Sequence, residues 1–185
     1  MGEVISILVA ATNGTQTTIG CDGRSTGGDG SITSSTDKKW IVNGRVALGC
    51  AGSVRFGMIA WEAFDHVGND LIIQNPQVLF DEIKDALVKD GWRFRDTHGS
   101  QYANEGALLV IGTTIYRMDA DYTLYKVDTP YAAIGSAEDV ALGAMYARST
   151  WTNEPLDLVM TGLQAAVYFH STCGGQLWWE TLVNA

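Results

Sequence analysis

The sequence has no uninterrupted apolar run of 18 or more residues, roughly the length at which a stretch begins to read as membrane-spanning. A membrane partner is therefore not expected. Its start, Met-Gly-Glu-Val-Ile-Ser, has no basic segment ahead of an apolar core and cleavage site, so a cytoplasmic protein is expected. Positive charge is scarce: 12 Lys and Arg stand against 21 Asp and Glu, a formal net charge of −9. Nucleic-acid binding needs clustered cations to neutralise phosphates, and that class of partner is excluded. Cysteine is sparse too. Cys21, Cys50 and Cys173 are odd in number and far apart, which fits reduced thiols rather than a disulfide framework. With His66, His98 and His170 they form no metal-ligand spacing of the C-x-x-C or H-x-x-x-H kind. Gly27-Gly28-Asp29-Gly30 hints at a calcium loop but lacks alternating Asp/Asn ligands and a closing Glu, and reads as a flexible turn. No phosphate loop is found, and no cofactor is expected.

What is present suits one domain over residues 1–185: the 185-residue length is ordinary for a single unit, and 46% hydrophobic residues fill a core. The apolar segment Val4 to Ala11, followed by Asn13-Gly14, predicts a hairpin whose second strand is Thr17 to Asp22. A polar Gly- and Ser-rich loop, Gly23 to Thr36, follows. Lys39 to Val42 and Val46 to Cys50, joined by Asn43-Gly44, predict a second hairpin. The period then changes, with Val54, Met58, Trp61 and Phe64 spaced as one face of a helix. Asn75-Pro76 opens a second helix carrying Phe80, Ile83 and Leu87, and Gly91 stops it. Strand character returns in Ala107 to Gly112, Ile115 to Met118, Tyr122 to Val127 and Tyr131 to Ile134. Ser136 is a candidate N-cap, with Glu138 and Asp139 in the first turn of a helix towards Ser149. Asn153 and Pro155 open another, with Leu156, Val159, Leu163, Ala166 and His170 on its face, and Gln176 to Val183 is a last strand. This order of strands, two helices, strands, two helices and a strand suits an α+β architecture of two sheets packed face to face with helix pairs outside. The six tryptophans are read chiefly as core residues, with a subunit interface as the alternative.

Five short segments, in order, carry a resemblance. Thr18-Ile19-Gly20-Cys21-Asp22-Gly23-Arg24-Ser25-Thr26 resembles the segment after the first hairpin of HslV and proteasome β subunits. Lys38-Lys39-Trp40 is similar to their paired lysines before an apolar residue, and Ala47-Leu48-Gly49-Cys50-Ala51-Gly52-Ser53 to the small-residue turn into their first helix. Ala133-Ile134-Gly135-Ser136 resembles their Ala-Ile-Gly-Ser. His170-Ser171-Thr172-Cys173-Gly174-Gly175 sits where proteasome β subunits carry Asp-Ser-x-Ser-Gly-Gly. The resemblance spans nearly the whole chain. It implies the N-terminal-nucleophile hydrolase fold, a four-layer αββα sandwich with two antiparallel sheets between helix pairs, and assembly into a homo-oligomer of rings or stacked rings. Partners so implied are a polypeptide substrate and an ATPase unfoldase.

In such peptidases an N-terminal threonine supplies the hydroxyl nucleophile, and its free amine or a nearby lysine takes the proton. The resemblance makes Asp22 the aspartate that holds the lysine, Lys39 that lysine, and Ser136 the serine of the proton network. Counting back from Asp22 puts Ser6 at the nucleophile position, exposed if residues 1–5 are removed; aligning on Asn13-Gly14 puts Ile5 there. Removal of Met1 alone exposes Gly2. Taken singly, Asp22 also reads as a strand-end turn residue, Lys39 as a solvated edge charge and Ser136 as a plain helix cap. His170 and Cys173 depart from the family's aspartate and serine, and His170 reads as a core histidine at the end of an apolar helix face. Two functions follow: a self-compartmentalised peptidase, threonine-type in kind but with Ser6 as nucleophile, or a catalytically inactive protein of the same fold serving as ring scaffold, gate or virion component. A cation near the last helix and strand, as relatives bind, is not demanded by any residue here.

Overall fold

The computed structural model describes residues 7–26, 31–34, 38–91, 105–119 and 122–183. The chain opens with β1 (Ile7–Thr12) and β2 (Gln16–Asp22), paired antiparallel with Thr12 opposite Thr17. Their turn is built by Asn13, whose Oδ1 accepts from the amides of Thr15 and Gln16 at 3.0 and 3.1 Å, while Gly14 takes a φ of +87° that costs a glycine little. A small separate hairpin follows, β3 (Arg24–Thr26) with β4 (Ile32–Ser34), inside the segment expected to be loop. Strands of three residues leave no alternation to read. The second expected hairpin is β5 (Trp40–Asn43) with β6 (Val46–Ala51).

Three helices come next, α1 (Val54–Val67), α2 (Asn69–Gln74) and α3 (Gln77–Lys89), where two were expected. On α1 the buried stripe is Phe56, Ile59, Ala60, Ala63 and Phe64, and Val54 and Met58 are exposed. Of the expected face, Phe64 is buried and Trp61 packs against the core, so only its first two positions miss. The helix is apolar around much of its circumference, and its buried side carries Gly57, Ala60 and Ala63 together with the large Phe56, Ile59 and Phe64. Strands β7 (Gly106–Ile111), β8 (Thr114–Met118), β9 (Leu124–Lys126) and β10 (Tyr131–Gly135) precede α4 (Glu138–Ser149), α5 (Pro155–Phe169) and β11 (Leu177–Val183).

The strands form two antiparallel sheets, one in the order β10-β1-β2-β11 and one in the order β5-β6-β7-β8-β9. Helices α4 and α5 cover the first, α1 and α3 the second, so the layers run αββα. Strand β1 shows why its sequence is apolar throughout rather than alternating. Ile7, Val9 and Ala11 pack towards α4 and α5, while Leu8 and Ala10 face the other sheet. A strand buried on both faces needs apolar residues at every position, and each large aliphatic so buried contributes about 1.5–3 kcal/mol. Two glycines set the layer spacing. A Cβ on Gly49 would lie 2.5 Å from Leu8 Cδ2 between the sheets, and one on Gly20 would lie 2.7 Å from Val159 Cγ1 beneath α5. Trp40 is buried and Trp61 and Trp178 pack against core clusters, whereas Trp151 is 85% exposed. Among the described residues no helix is long and apolar enough to cross a membrane.

Candidate functional site

The site is built around the start of β1. Ile7 pairs with Gly135 of β10 on one side, and on the other its amide donates to Asp22 Oδ1 at 3.2 Å. Asp22 ends β2 and is fully buried, so its charge must be met inside the protein. Among the donors that meet it are the Ile7 amide and Lys39 Nζ (2.7 Å) at Oδ1, and the Gly174 amide (2.8 Å) at Oδ2. Lys39 precedes β5, pinned where its carbonyl accepts from the Cys50 amide at 3.0 Å, and its ammonium also donates to the Arg24 carbonyl at 2.9 Å. Its side chain is 11% exposed. Neither residue matches the single-residue alternatives: Asp22 is not a surface turn residue, and Lys39 is not a solvated edge charge.

Ser136 does not cap α4. That helix starts at Glu138 with Ala137 in the cap position and no side-chain cap bond. Because Gly135 turns the chain with a φ of +116°, the exposed Ser136 is swung instead towards the loop after α5. Its Oγ lies 2.7 Å from Thr172 Oγ1 and 3.8 Å from Cys173 Sγ. His170, expected in the core, is half-buried at the C-terminus of α5, with Nδ1 2.8 Å from Thr172 Oγ1. The polar partner at Thr172 explains why it leaves the apolar stripe that ends at Ala166. Thr172 is the residue that sequence reasoning passed over, although it lies inside the segment that carried the resemblance. The same loop delivers the Gly174 amide to Asp22. It approaches β2 closely, with Gly175 at φ +75° and its would-be Cβ 3.2 Å from the Gly23 backbone.

Asp22 and Lys39 are thus in direct contact, and Ser136 is tied to them through the loop 170–175. Ser6 and Ile5, the two candidates for the nucleophile position, lie outside the described residues, as do Gly27-Gly28-Asp29-Gly30 and His98. Burial, and then the charge of Asp22, push the Cys173 thiol up. Burial likewise pushes Cys21 up to about 11. Among the described residues no group of three or more His, Cys, Asp and Glu is placed to hold a metal.

A second, half-buried carboxyl stands at the entrance to β7. Glu105 Oε1 accepts from Ser53 Oγ at 2.8 Å, and Ser53 Oγ in turn accepts from the Phe56 amide at the start of α1. Its Oε2 is buried without a hydrogen-bond partner among the described residues, and burial pushes the group up to about 7.

No family model matches the chain, and no curated protein matches it. Solved structures do. The Thiobacillus denitrificans protein BPH, in complex with epoxomicin, superposes with a TM-score of 0.78 at 21% identity over 97% of this chain and 99% of that one. Anbu, the ancestral beta-subunit, from Yersinia bercovieri gives 0.74 at 14% identity over 96% and 81%. The eukaryotic HslV from Trypanosoma brucei gives 0.72 at 16% identity over 96% and 99%. At such identities the likeness establishes architecture, and the chain has the proteasome-like αββα fold of HslV and Anbu.

Proposed function

We infer that the chain is a proteasome-like peptidase subunit whose nucleophile is the hydroxyl of Ser6, freed by removal of residues 1–5. The carrying observation is the convergence at Ile7: Asp22 and Lys39 flank it on the β2 side, and Gly135 with Ser136 flanks it on the β10 side. Ser6 is the next residue in the chain. The bond from the Ile7 amide to Asp22 supports counting from Asp22, the count that reaches Ser6.

In this reading the free α-amine of Ser6 takes the hydroxyl proton as oxygen attacks the peptide carbonyl. The Lys39 ammonium stabilises the developing negative charge, and Asp22 holds the ammonium in place. Ser136 orders the groups around the amine. The amine then returns the proton to the leaving nitrogen, and water releases the acyl group from Ser6. Polypeptide is the substrate, and copies of the chain assemble into rings served by an ATPase unfoldase. The exposed aromatics Tyr146, Tyr168 and Phe169 on α4 and α5 support an interface on that side.

The deciding measurement is the intact mass of the purified protein with hydrolysis of fluorogenic peptides. Loss of residues 1–5 is expected, with hydrolysis abolished by Ser6→Ala and by Lys39→Ala at unchanged oligomer size, and inhibited by epoxomicin. A full-length mass with no hydrolysis would overturn catalysis and leave the second reading, a non-catalytic scaffold of the same fold. A strictly monomeric protein in light scattering would sink ring assembly.

A further inference from the structure

Gly174 and Gly175 are each required for a different reason, and both reasons lead to Arg24. A Cβ on Gly175 would lie 3.2 Å from the Gly23 carbonyl carbon and 3.4 Å from the Arg24 nitrogen, so the loop there rests on the backbone of residues 23 and 24. A Cβ on Gly174 would lie 2.6 Å from Arg24 Cζ and Nη2, closer than a Cβ packs, so the guanidinium fills the place of the missing side chain. From that seat Arg24 Nη1 donates to the Ser171 carbonyl at 2.8 Å. Arg24 also has a hold on the other side of the site, because its own carbonyl accepts from Lys39 Nζ at 2.9 Å.

We propose that Arg24 is a positioning residue for the buried Asp22 carboxylate, acting on both of its oxygens. Towards Oδ1 it acts through its backbone: the Arg24 carbonyl gives the Lys39 ammonium a second acceptor, which fixes the direction from which Nζ reaches Oδ1 at 2.7 Å. Towards Oδ2 it acts through its side chain. The guanidinium, seated on Gly174 and tied to Ser171, sets how far the loop advances, and the Gly174 amide then meets Oδ2 at 2.8 Å. A flat, rigid fork suits this task, since one face can lie against a bare Cα while an edge nitrogen is held at a carbonyl. The loop needs such a clamp because it lies between α5 and β11 and belongs to neither, and segments outside regular elements open at low free-energy cost. A carboxylate held at both oxygens cannot turn, and the ammonium it orients cannot swing. The bearing on rate rests on the proposed peptidase function, in which that ammonium stabilises the developing charge.

Hydrogen exchange at two single amides tests the assignment. The Gly174 amide donates to Oδ2 and the Ile7 amide to Oδ1, so they report the two sides of one carboxylate. Arg24→Met keeps the backbone carbonyl and much of the side-chain length, and removes the planar head with its donors. It is expected to speed exchange at Gly174 by about tenfold or more and to leave Ile7 unchanged. Arg24→Lys, which keeps a donor for the Ser171 carbonyl, should restore most of the protection. Unchanged exchange at Gly174 in Arg24→Met would overturn the assignment, and so would equal acceleration at both amides, the mark of general loosening. In the processed protein, Arg24→Met should lower kcat at constant KM and Arg24→Lys should recover it; a raised KM with kcat intact would place Arg24 in substrate binding and overturn the positioning role. If no form hydrolyses peptide, it is the peptidase function that fails, and the two amides still decide the role of Arg24.

Discussion

The two halves of the site are held by opposite means. On the β2 side a buried carboxylate is fixed by an ammonium and two backbone amides, an arrangement that cannot relax without leaving a charge unpaired in the core. On the β10 side, an exposed hydroxyl, a half-buried hydroxyl and a half-buried imidazole are joined by hydrogen bonds between neutral-capable side chains, with no buried charge at stake. The first half is part of the fold. The second is laid on it, so function and stability should separate across the site.

The largest expected effect follows from Asp22→Ala, which strands Lys39 and two amides. A loss of about 3–5 kcal/mol in denaturant titration is expected; a loss below 1 kcal/mol would erase the contrast. Lys39→Met keeps most of the side-chain volume and leaves Asp22 its two amides, so a smaller loss of about 1–3 kcal/mol is expected. Glu105 sharpens the point, since it is a half-buried carboxyl whose buried Oε2 has no hydrogen-bond partner among the described residues. Its folded-state pKa is raised from 4.5 to about 7, so its contribution to stability is intact below about pH 4.5 and is lost as pH rises towards 7. Glu105→Gln should therefore match the parent at pH 4 and exceed it at pH 8 by about 1 kcal/mol, the full linkage being discounted for the solvent that still reaches the group. Thermal melts at the two pH values check this; equal differences at both would refute it. The smallest effect on folding is expected from Ser136→Ala, within about 0.5 kcal/mol, while peptide hydrolysis falls. A large loss of stability there would mean that the β10 half is structural after all.

The same contrast explains what the sequence discloses. The Asn13-Gly14 and Asn43-Gly44 turns and the doubly buried β1 are local signals, and they yield the order of strands and helices. Asp22 and Lys39 are legible through their matched flanks, among them Gly20, which the approach of α5 requires, and Cys21, which packs between the sheets. The β10 half is less so. Ser136 before Glu138 has the local form of a cap, and only the positive φ of Gly135, which a sequence does not announce, sends it elsewhere. His170 continues an apolar spacing, and its departure from the core depends on Thr172, two residues further on. Part of the α1 face was missed for a related reason: apolar residues on two sides leave the choice to tertiary packing.

Strand β1 is hydrogen-bonded on both sides, to β10 and β2, and Ile7 is inaccessible to solvent. Chain ends ordinarily fray, and strand ends open by local fluctuation long before a domain unfolds. An end created beside Ile7 would instead be anchored to one of the last segments to exchange its amides, moving only as far as one residue's torsions allow. For a nucleophile that amounts to a high effective molarity, secured when the chain folds rather than when a substrate arrives.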